Sequence, residues 1–159
     1  MNKITPFLWF DNNLEEAMEF YSSVFKSFEA GEIRRYTKEG PGPEGSVMTA
    51  NFTINGQEFT GINGGPHFKF TEAVSFVIDC KTQDEVDYYW EKLSADGGQK
   101  VECGWLKDKF GLSWQVTPSI LIEMIGDSDT EKVSRVMHAM MQMKKLDIKA
   151  LQDAYEGQR

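Results

Sequence analysis

The residues whose types can do chemistry gather in one stretch of this chain, Gly104-Trp105-Leu106-Lys107-Asp108-Lys109-Phe110-Gly111-Leu112-Ser113-Trp114-Gln115-Val116-Thr117-Pro118. Alternation along an extended backbone sends Ser113, Gln115 and Thr117 to one face, and Trp114 and Val116 to the other. Neutral hydrogen-bonding side chains in a row, backed by a large apolar face, suit the wall of a small-molecule pocket or a half-buried edge strand. Asp108 stands just before a turn at Phe110-Gly111, where it can hold a polar ligand atom or bond the turn's own backbone. His67 follows a Gly-Gly-Pro turn; it is a general base if it has a polar partner and access, or else a linker histidine pinning a loop. Cys103 is a nucleophile only as a thiolate. Its adjacent charged neighbour, Glu102, is acidic and gives a thiolate no support, so it reads as a structural thiol. His138, four residues after Ser134, reads as solvated or packed, and Asn51-Phe52-Thr53 is a glycosylation sequon that matters only in an exported chain.

The elements that must position these groups come from periodicity. Ile4 to Phe10 predicts a strand, broken by Asp11-Asn12-Asn13, with Asn13 and Glu16 placed as a capping box for the next helix. Leu14, Ala17, Met18, Tyr21, Val24 and Phe25 recur at helical spacing. Extended segments follow at about 28–36, 46–54 and 57–63, the first two separated by a Gly-Pro-Gly-Pro loop and the last two by the hairpin signal Asn55-Gly56. After Gly64-Gly65-Pro66 the pattern restarts. Phe76-Val77-Ile78-Asp79 echoes Leu8-Trp9-Phe10-Asp11, Thr82-Gln83-Asp84-Glu85 is a capping box, and Val86, Tyr89, Trp90 and Leu93 repeat the spacing of Ala17, Phe20, Tyr21 and Val24. Short extended pieces at 98–102, 105–108 and 113–117 complete a strand–helix–three-strand unit written twice.

One such unit of about 60 residues cannot cover both faces of its sheet. Two units allow the helices to cover the outer faces while the inner faces close on each other. Alternation assigns Thr5, Phe7, Trp9, Thr60, Ile62, Ala73, Ser75, Val77, Ser113, Gln115 and Thr117 to those inner faces. A dry core prefers larger aliphatics, so this set of hydroxyls, amide and small residues favours a cavity between the modules. Beyond Pro118, Ser128-Asp129-Thr130-Glu131 reads as a third capping box, opening a helix with Val133, Val136, Met137, Met140 and Met141 on one face. Asp147 begins a shorter helix carrying Ile148, Leu151 and Tyr155. The methionine stripe suits packing on the domain or on a second subunit.

Composition limits the partners. The chain has 159 residues and a formal net charge of −8, with Lys and Arg scattered, which argues against a nucleic-acid or anionic-membrane surface. No apolar run approaches a membrane span and the first residues show no signal pattern, so the expected compartment is the cytoplasm, with Cys80 and Cys103 reduced.

The stretches Ile4-Thr5-Pro6-Phe7-Leu8-Trp9-Phe10, Asn63-Gly64-Gly65-Pro66-His67-Phe68, Ala73-Val74-Ser75-Phe76, Cys103 through Gln115, and Met143-Lys144-Lys145-Leu146-Asp147-Ile148 carry a family likeness. The chain resembles the vicinal-oxygen-chelate superfamily of glyoxalases, extradiol dioxygenases and bleomycin-resistance proteins. More closely it resembles the PhnB-like branch, often labelled 3-demethylubiquinone-9 3-methyltransferase domain. The resemblance implies an α+β fold of two paired βαβββ modules, a homodimer, and a divalent metal held by one side chain on each of four strands. The corresponding positions here are Thr5 (or Pro6), Thr60, Ala73 and Gln115. Threonine, alanine and glutamine are poor substitutes for the imidazole and carboxylate such metals need, so glyoxalase- or dioxygenase-type metal chemistry is not expected. A methyl donor of the S-adenosylmethionine kind is usually held at a Gly-rich strand-to-helix turn, and no glycine lies between a strand and a following helix.

The sequence therefore predicts a vicinal-oxygen-chelate domain over 1–127, with module 1 about 1–66 and module 2 about 67–127, and a C-terminal helical extension over 128–159. Three functional readings stand. One is a cofactor-free, metal-free pocket for a small, partly aromatic organic molecule, with Phe7, Trp9, Thr60, Ser75, Trp105 and Gln115 as ligand-binding residues. Another is an enzyme, as the transferase label has it, with catalytic residues unassigned. The third is an interaction module with a vestigial cavity.

Overall fold

The structure, a computed structural model, describes residues 3–158. The chain divides into two compact units, Met1–Phe70 and Thr71–Arg159. In the first, β1 (Phe7–Phe10), α1 (Leu14–Val24), β2 (Phe28–Arg35), β3 (Val47–Ile54) and β4 (Gln57–Asn63) form a four-stranded sheet of order β1-β4-β3-β2 with one helix. In the second, β5 (Ser75–Cys80), α2 (Gln83–Leu93), β6 (Gln99–Lys100), β7 (Trp105–Lys107) and β8 (Ser113–Pro118) repeat that order as β5-β8-β7-β6. In both sheets the first and last strands pair in parallel and the remaining pairs are antiparallel. Each unit is thus a βαβββ module, and the chain is α+β.

Strand alternation decides which side chains are covered. In the first unit Leu8, Phe10, Ala50, Phe52, Ile54 and Phe59 are buried together with Leu14, Ala17, Tyr21 and Val24 of α1. Phe52 stacks between Phe28 and Phe59, with ring centroids 5.8 and 5.4 Å away. In the second unit Ile78, Cys80, Leu106, Trp114 and Val116 are buried with Val86, Trp90 and Leu93 of α2. Burial of a Leu, Val or Phe side chain contributes about 1.5–3 kcal/mol, so these helix-facing layers dominate the stability of each unit.

Helix starts depart in two places from the expected boxes. Asn13 makes no side-chain capping bond; the Leu14 N–H instead donates to Asn63 Oδ1 at 2.9 Å. Asn63, at the end of β4, also donates through Nδ2 to Val47 O at 3.0 Å and to Glu15 Oε1 at 2.6 Å. A residue from another strand has taken over the local cap. On α4 (Thr130–Met141) the cap is Asp129 rather than Ser128, its carboxylate accepting from Glu131 N at 3.1 Å and Lys132 N at 3.3 Å. Thr82 and Asp147 cap α2 and α5 (Ile148–Glu156), accepting from Glu85 N at 3.2 Å and Ala150 N at 2.9 Å.

A further helix, α3 (Ser119–Ile125), follows directly after Pro118, where periodicity assigned nothing. Seven residues give too little pattern to distinguish a helix from an apolar strand end. Its Leu121 and Met124 join Val136, Leu146 and Leu151 in one cluster with Met140, Met143 and Tyr155 packed against it. The link between α4 and α5 then runs along the second module. Cys103 N donates to Met143 O at 2.9 Å and Gly104 N to Lys144 O at 2.7 Å. Gln83 holds the same link at both ends of its amide, donating to Leu146 O at 3.1 Å and accepting from Ile148 N at 2.8 Å. Gly104, at φ +82, makes this approach possible: a Cβ there would lie 2.8 Å from Leu146 Cδ1 and 2.9 Å from Val116 O.

Candidate functional site

In each sheet the residues that alternate with the helix-packed set lie on a second face. In the first unit that face carries Phe7, Trp9, Thr60, Ile62, Asn51 and Thr49, the residues alternating with the buried set. Pairing sets Phe7 beside Thr60 and Thr60 beside Asn51, with Trp9 beside Ile62 in the next row. The Thr60 hydroxyl donates to Asn51 Oδ1 at 3.0 Å. Trp9 is fixed by Nε1–H donation to Gly65 O at 2.9 Å and by an edge contact from Phe68, 4.9 Å between centroids. Phe7 is 59% exposed and Phe68 65% exposed, so this face offers aromatic surface beside neutral polar groups.

In the second unit Gln115 lies between Val77 on β5 and Trp105 on β7, and Ser113 lies between Ser75 and Lys107 in the adjoining row. The pairing answers a question that alternation alone left open: Trp105 shares the face of Gln115, because directly opposed residues in an antiparallel pair point the same way. Gln115 Nε2 donates to Ser75 Oγ at 2.9 Å. Ser113 is 1% exposed, and its Oγ is the buried side-chain oxygen or nitrogen among the described residues that lacks a hydrogen-bond partner. A buried hydroxyl left unpaired costs about 1–3 kcal/mol. Lys107 forms an ion pair with Glu72, and that contact, by hydrogen bond first, holds the Glu72 carboxyl below the ordinary carboxylate value. Asp79, on the same strand as Ser75, is bonded to Lys81 and to the Ser119 hydroxyl, which lower its pKa in that order.

The sequence candidates therefore fall into two sets, one on each sheet: Phe7, Trp9 and Thr60 on the first, Ser75, Trp105 and Gln115 on the second. Thr5 and Ala73 precede β1 and β5 rather than lying within them. The metal that the superfamily implies does not fit this donor set. The Thr60 hydroxyl is donated to Asn51, the Gln115 amide is donated to Ser75, and Ala73 has no donor atom. Among the described residues no group of three or more His, Cys, Asp or Glu side chains is placed to hold a metal ion.

The remaining candidates have other surroundings. Asp108 is 2% exposed and belongs to its turn: Oδ1 accepts from Phe110 N at 2.9 Å and Leu112 N at 3.1 Å, and Oδ2 accepts from Trp114 Nε1 at 2.9 Å. Cys103 is half-buried, its Sγ 3.6 Å from Met140 O and 3.9 Å from Met141 Sδ. Cys80 is fully buried, and burial, then Glu85 and Asp79, push its thiol up to about 12. His67 is exposed at the rim of a cavity of about 270 Å³ in the first unit, among Asn12, Tyr36, Gly42 and Gly64. His138 is exposed beside a groove of about 560 Å³ between α4 and α5, where Arg135 bonds Ala154 O and Tyr155 O at 2.8 Å each.

Sequence reasoning did not single out Asn63 or Ser113's missing partner. Asn63 was detectable: it continues the buried alternation of Phe59 and Gly61, and a polar amide in a core position must find partners. Tyr36 ties down its backbone as well, donating to the Asn63 main-chain O at 2.5 Å. Ser113 had no such signal, since only packing tells a covered hydroxyl from a solvated one.

Two βαβββ modules define the fold class of glyoxalases and bleomycin-resistance proteins. The family model described as 3-demethylubiquinone-9 3-methyltransferase matches residues 2–117, and the chain belongs to that family. Among solved structures, it is 43% identical to the PhnB protein from Bacillus cereus, which bears the same methyltransferase description. That match covers 74% of this chain and 99% of the other, with a TM-score of 0.66. A Pseudomonas aeruginosa protein at 19% identity covers 74% of this chain and 98% of its own, TM-score 0.58. The fosfomycin resistance protein FosX from Listeria monocytogenes, at 17% identity, covers 79% and 98%, TM-score 0.59. The last two show the shared fold alone. No curated protein matches the chain.

Proposed function

We propose that this protein binds a small, partly aromatic organic molecule on the open faces of its sheets, without a catalytic metal. The observation that carries the reading is the row Val77–Gln115–Trp105, with Ser75 hydrogen-bonded to Gln115: an indole, an amide and a hydroxyl on one face, and no strong metal ligand among them. The first sheet offers the same combination in Phe7, Trp9 and Thr60. Pockets of this kind are mostly apolar with a few placed polar groups. The transferase description of the family is the alternative. Against a donor site of the doubly wound type, the strand-to-helix turns are Asp11-Asn12-Asn13 and Lys81-Thr82, with no glycine.

The proposal includes a homodimer in the cytoplasm. Its support is the exposed apolar side chains of each unit, Phe7 and Phe68 in the first and Val74 and Val77 in the second. No helix among the described residues is long and apolar enough to cross a membrane. Equilibrium dialysis of the full chain against a metabolite library, with S-adenosylmethionine and its demethylated product as controls, tests the binding reading. Retention of an aromatic metabolite, lost in Gln115→Leu or Trp9→Ala, supports it. Retention of the methyl donor instead would favour the transferase, and a library that passes through unbound would overturn the binding reading. Light scattering after gel filtration reports the oligomeric state.

A further inference from the structure

We infer that the open face of the second sheet recognises an uncharged planar ligand through a paired donor and acceptor, the edge that a primary carboxamide or a lactam presents, and disfavours carboxylates and phosphates. The inference rests on the binding reading above and assigns its ligand class. It starts from what each polar group has left to give. With one N–H committed to Ser75 Oγ at 2.9 Å, Gln115 keeps a second N–H and its Oε1, and Ser75 keeps its own hydroxyl proton. A carboxamide edge answers that arrangement, its N–H donating to Gln115 Oε1 while its oxygen accepts from Gln115 or Ser75. A carboxylate has no proton for Oε1, so one of the two contacts becomes a repulsion.

Charge on the face points the same way. Lys107, the cation in the row of Ser113, is committed to Glu72, and Asp79 on β5 is acidic. Unpaired positive charge to offset the desolvation of an anion is therefore missing from these rows, and a chain of net charge −8 repels one at longer range. The independent observation is Ser113. Its hydroxyl, covered and unpartnered, sits between Ser75 and Lys107 on the face that carries Gln115. Once the side chains that cover this oxygen shift, a neutral donor–acceptor group, directly or through one carried water, supplies the partner it lacks. Trp105, directly across from Gln115, gives the ring of such a ligand a surface to lie on.

The test uses four probes of one ring size, naphthamide, isoquinolinone, naphthoate and naphthalene, titrated into the full chain with tryptophan fluorescence and equilibrium dialysis as readouts. The expected result is binding of naphthamide and isoquinolinone about tenfold or more tighter than naphthoate and naphthalene, the scale of one to two good hydrogen bonds. Gln115→Leu should bring the four probes to within about threefold of each other by losing that bond, and Ser75→Ala should reproduce part of the loss. Thermal melts of both variants at the wild-type temperature separate this from misfolding, and Ser75→Ala, the smaller change, decides if Gln115→Leu melts early. Naphthoate binding as tightly as naphthamide, or a naphthamide preference untouched in both variants, would overturn the inference while the binding reading stands. If no probe binds, the inference falls as well, and the metabolite dialysis decides the binding reading separately.

Discussion

The two modules share a strand order and differ in how they complete themselves. In the first, β2 and β3 are eight residues each and the sheet is finished by its own strands. In the second, the equivalent β6 and β7 have only two and three residues, and the missing extent is met by the chain that follows: Met143 and Lys144 bond to Cys103 and Gly104, and Gln83 clasps Leu146 and Ile148. A duplicated architecture thus need not be duplicated in energetics. Where hairpin strands shorten, buried area and backbone partners must come from elsewhere, and here α3, α4 and α5 provide them. In both modules the residues that alternate with the helix-packed set make a second face of aromatic and neutral polar groups, and that shared feature is the one the functional reading uses.

The comparison is broken most directly by truncation after Asp127. This removes Val136, Leu146 and Leu151, each at most 1% exposed, and uncovers Leu121 and Met124. The expected outcome is loss of cooperative unfolding or of solubility for the second unit, while amide-exchange protection of β3 and β4 in the first survives. A truncated chain with unchanged melting temperature would refute the dependence.

Next in size is Gly104→Ala. It places a Cβ 2.8 Å from Leu146 Cδ1 in a backbone conformation of φ +82 that L-residues rarely adopt. Left-handed strain plus forced displacement costs about 1–3 kcal/mol, read as a lower denaturation midpoint. Leu146→Ala relieves the contact, so the double variant should lose less than the sum of the single changes.

A matched pair of amides sharpens the contrast. Asn63→Leu in the first unit strips the Leu14 N–H of its partner, and Gln83→Leu in the second releases the extension from α2. Each should destabilise by about 1–3 kcal/mol. Only the second should also increase exchange of the Cys103 and Gly104 amides, which nuclear magnetic resonance can follow.

The smallest effect is the pH response of the extension. The Tyr155 hydroxyl, then the Asp129 backbone N–H, hold the Asp127 carboxyl below its ordinary 3.8, and the same contact raises Tyr155 above 10.0. Asp127 contributes stability that is present above pH 3.8 and is lost as pH falls through its lowered folded value. Tyr155 contributes below pH 10.0 and loses its contribution as pH rises through its raised folded value. Tyr155→Phe should therefore narrow the difference in melting temperature between neutral pH and each extreme by a small, measurable amount. An unchanged pH profile would show that the contact has no energetic role.

Much of this was legible in the residues. Period-2 and period-3.6 patterning placed β4 at 57–63 and a helix from Leu14 through Phe25, which the structure ends one residue earlier at Val24, and the repeat of Phe76-Val77-Ile78-Asp79 on Leu8-Trp9-Phe10-Asp11 predicted two equivalent modules. Alternation also put Ser75, Gln115, Phe7 and Thr60 on faces away from the helices. Such information is local: it depends only on which side of a strand or helix a residue must occupy. Tertiary structure alone decided the rest. The partner of the Leu14 N–H is Asn63, 49 residues away, and the extension is held by Gln83, 65 residues before Ile148. Trp105 gained its face from pairing with Gln115, because a three-residue strand carries no usable period of its own. Ser113 lost its partner by being covered, and burial of a single hydroxyl is set by everything packed around it rather than by its neighbours in sequence.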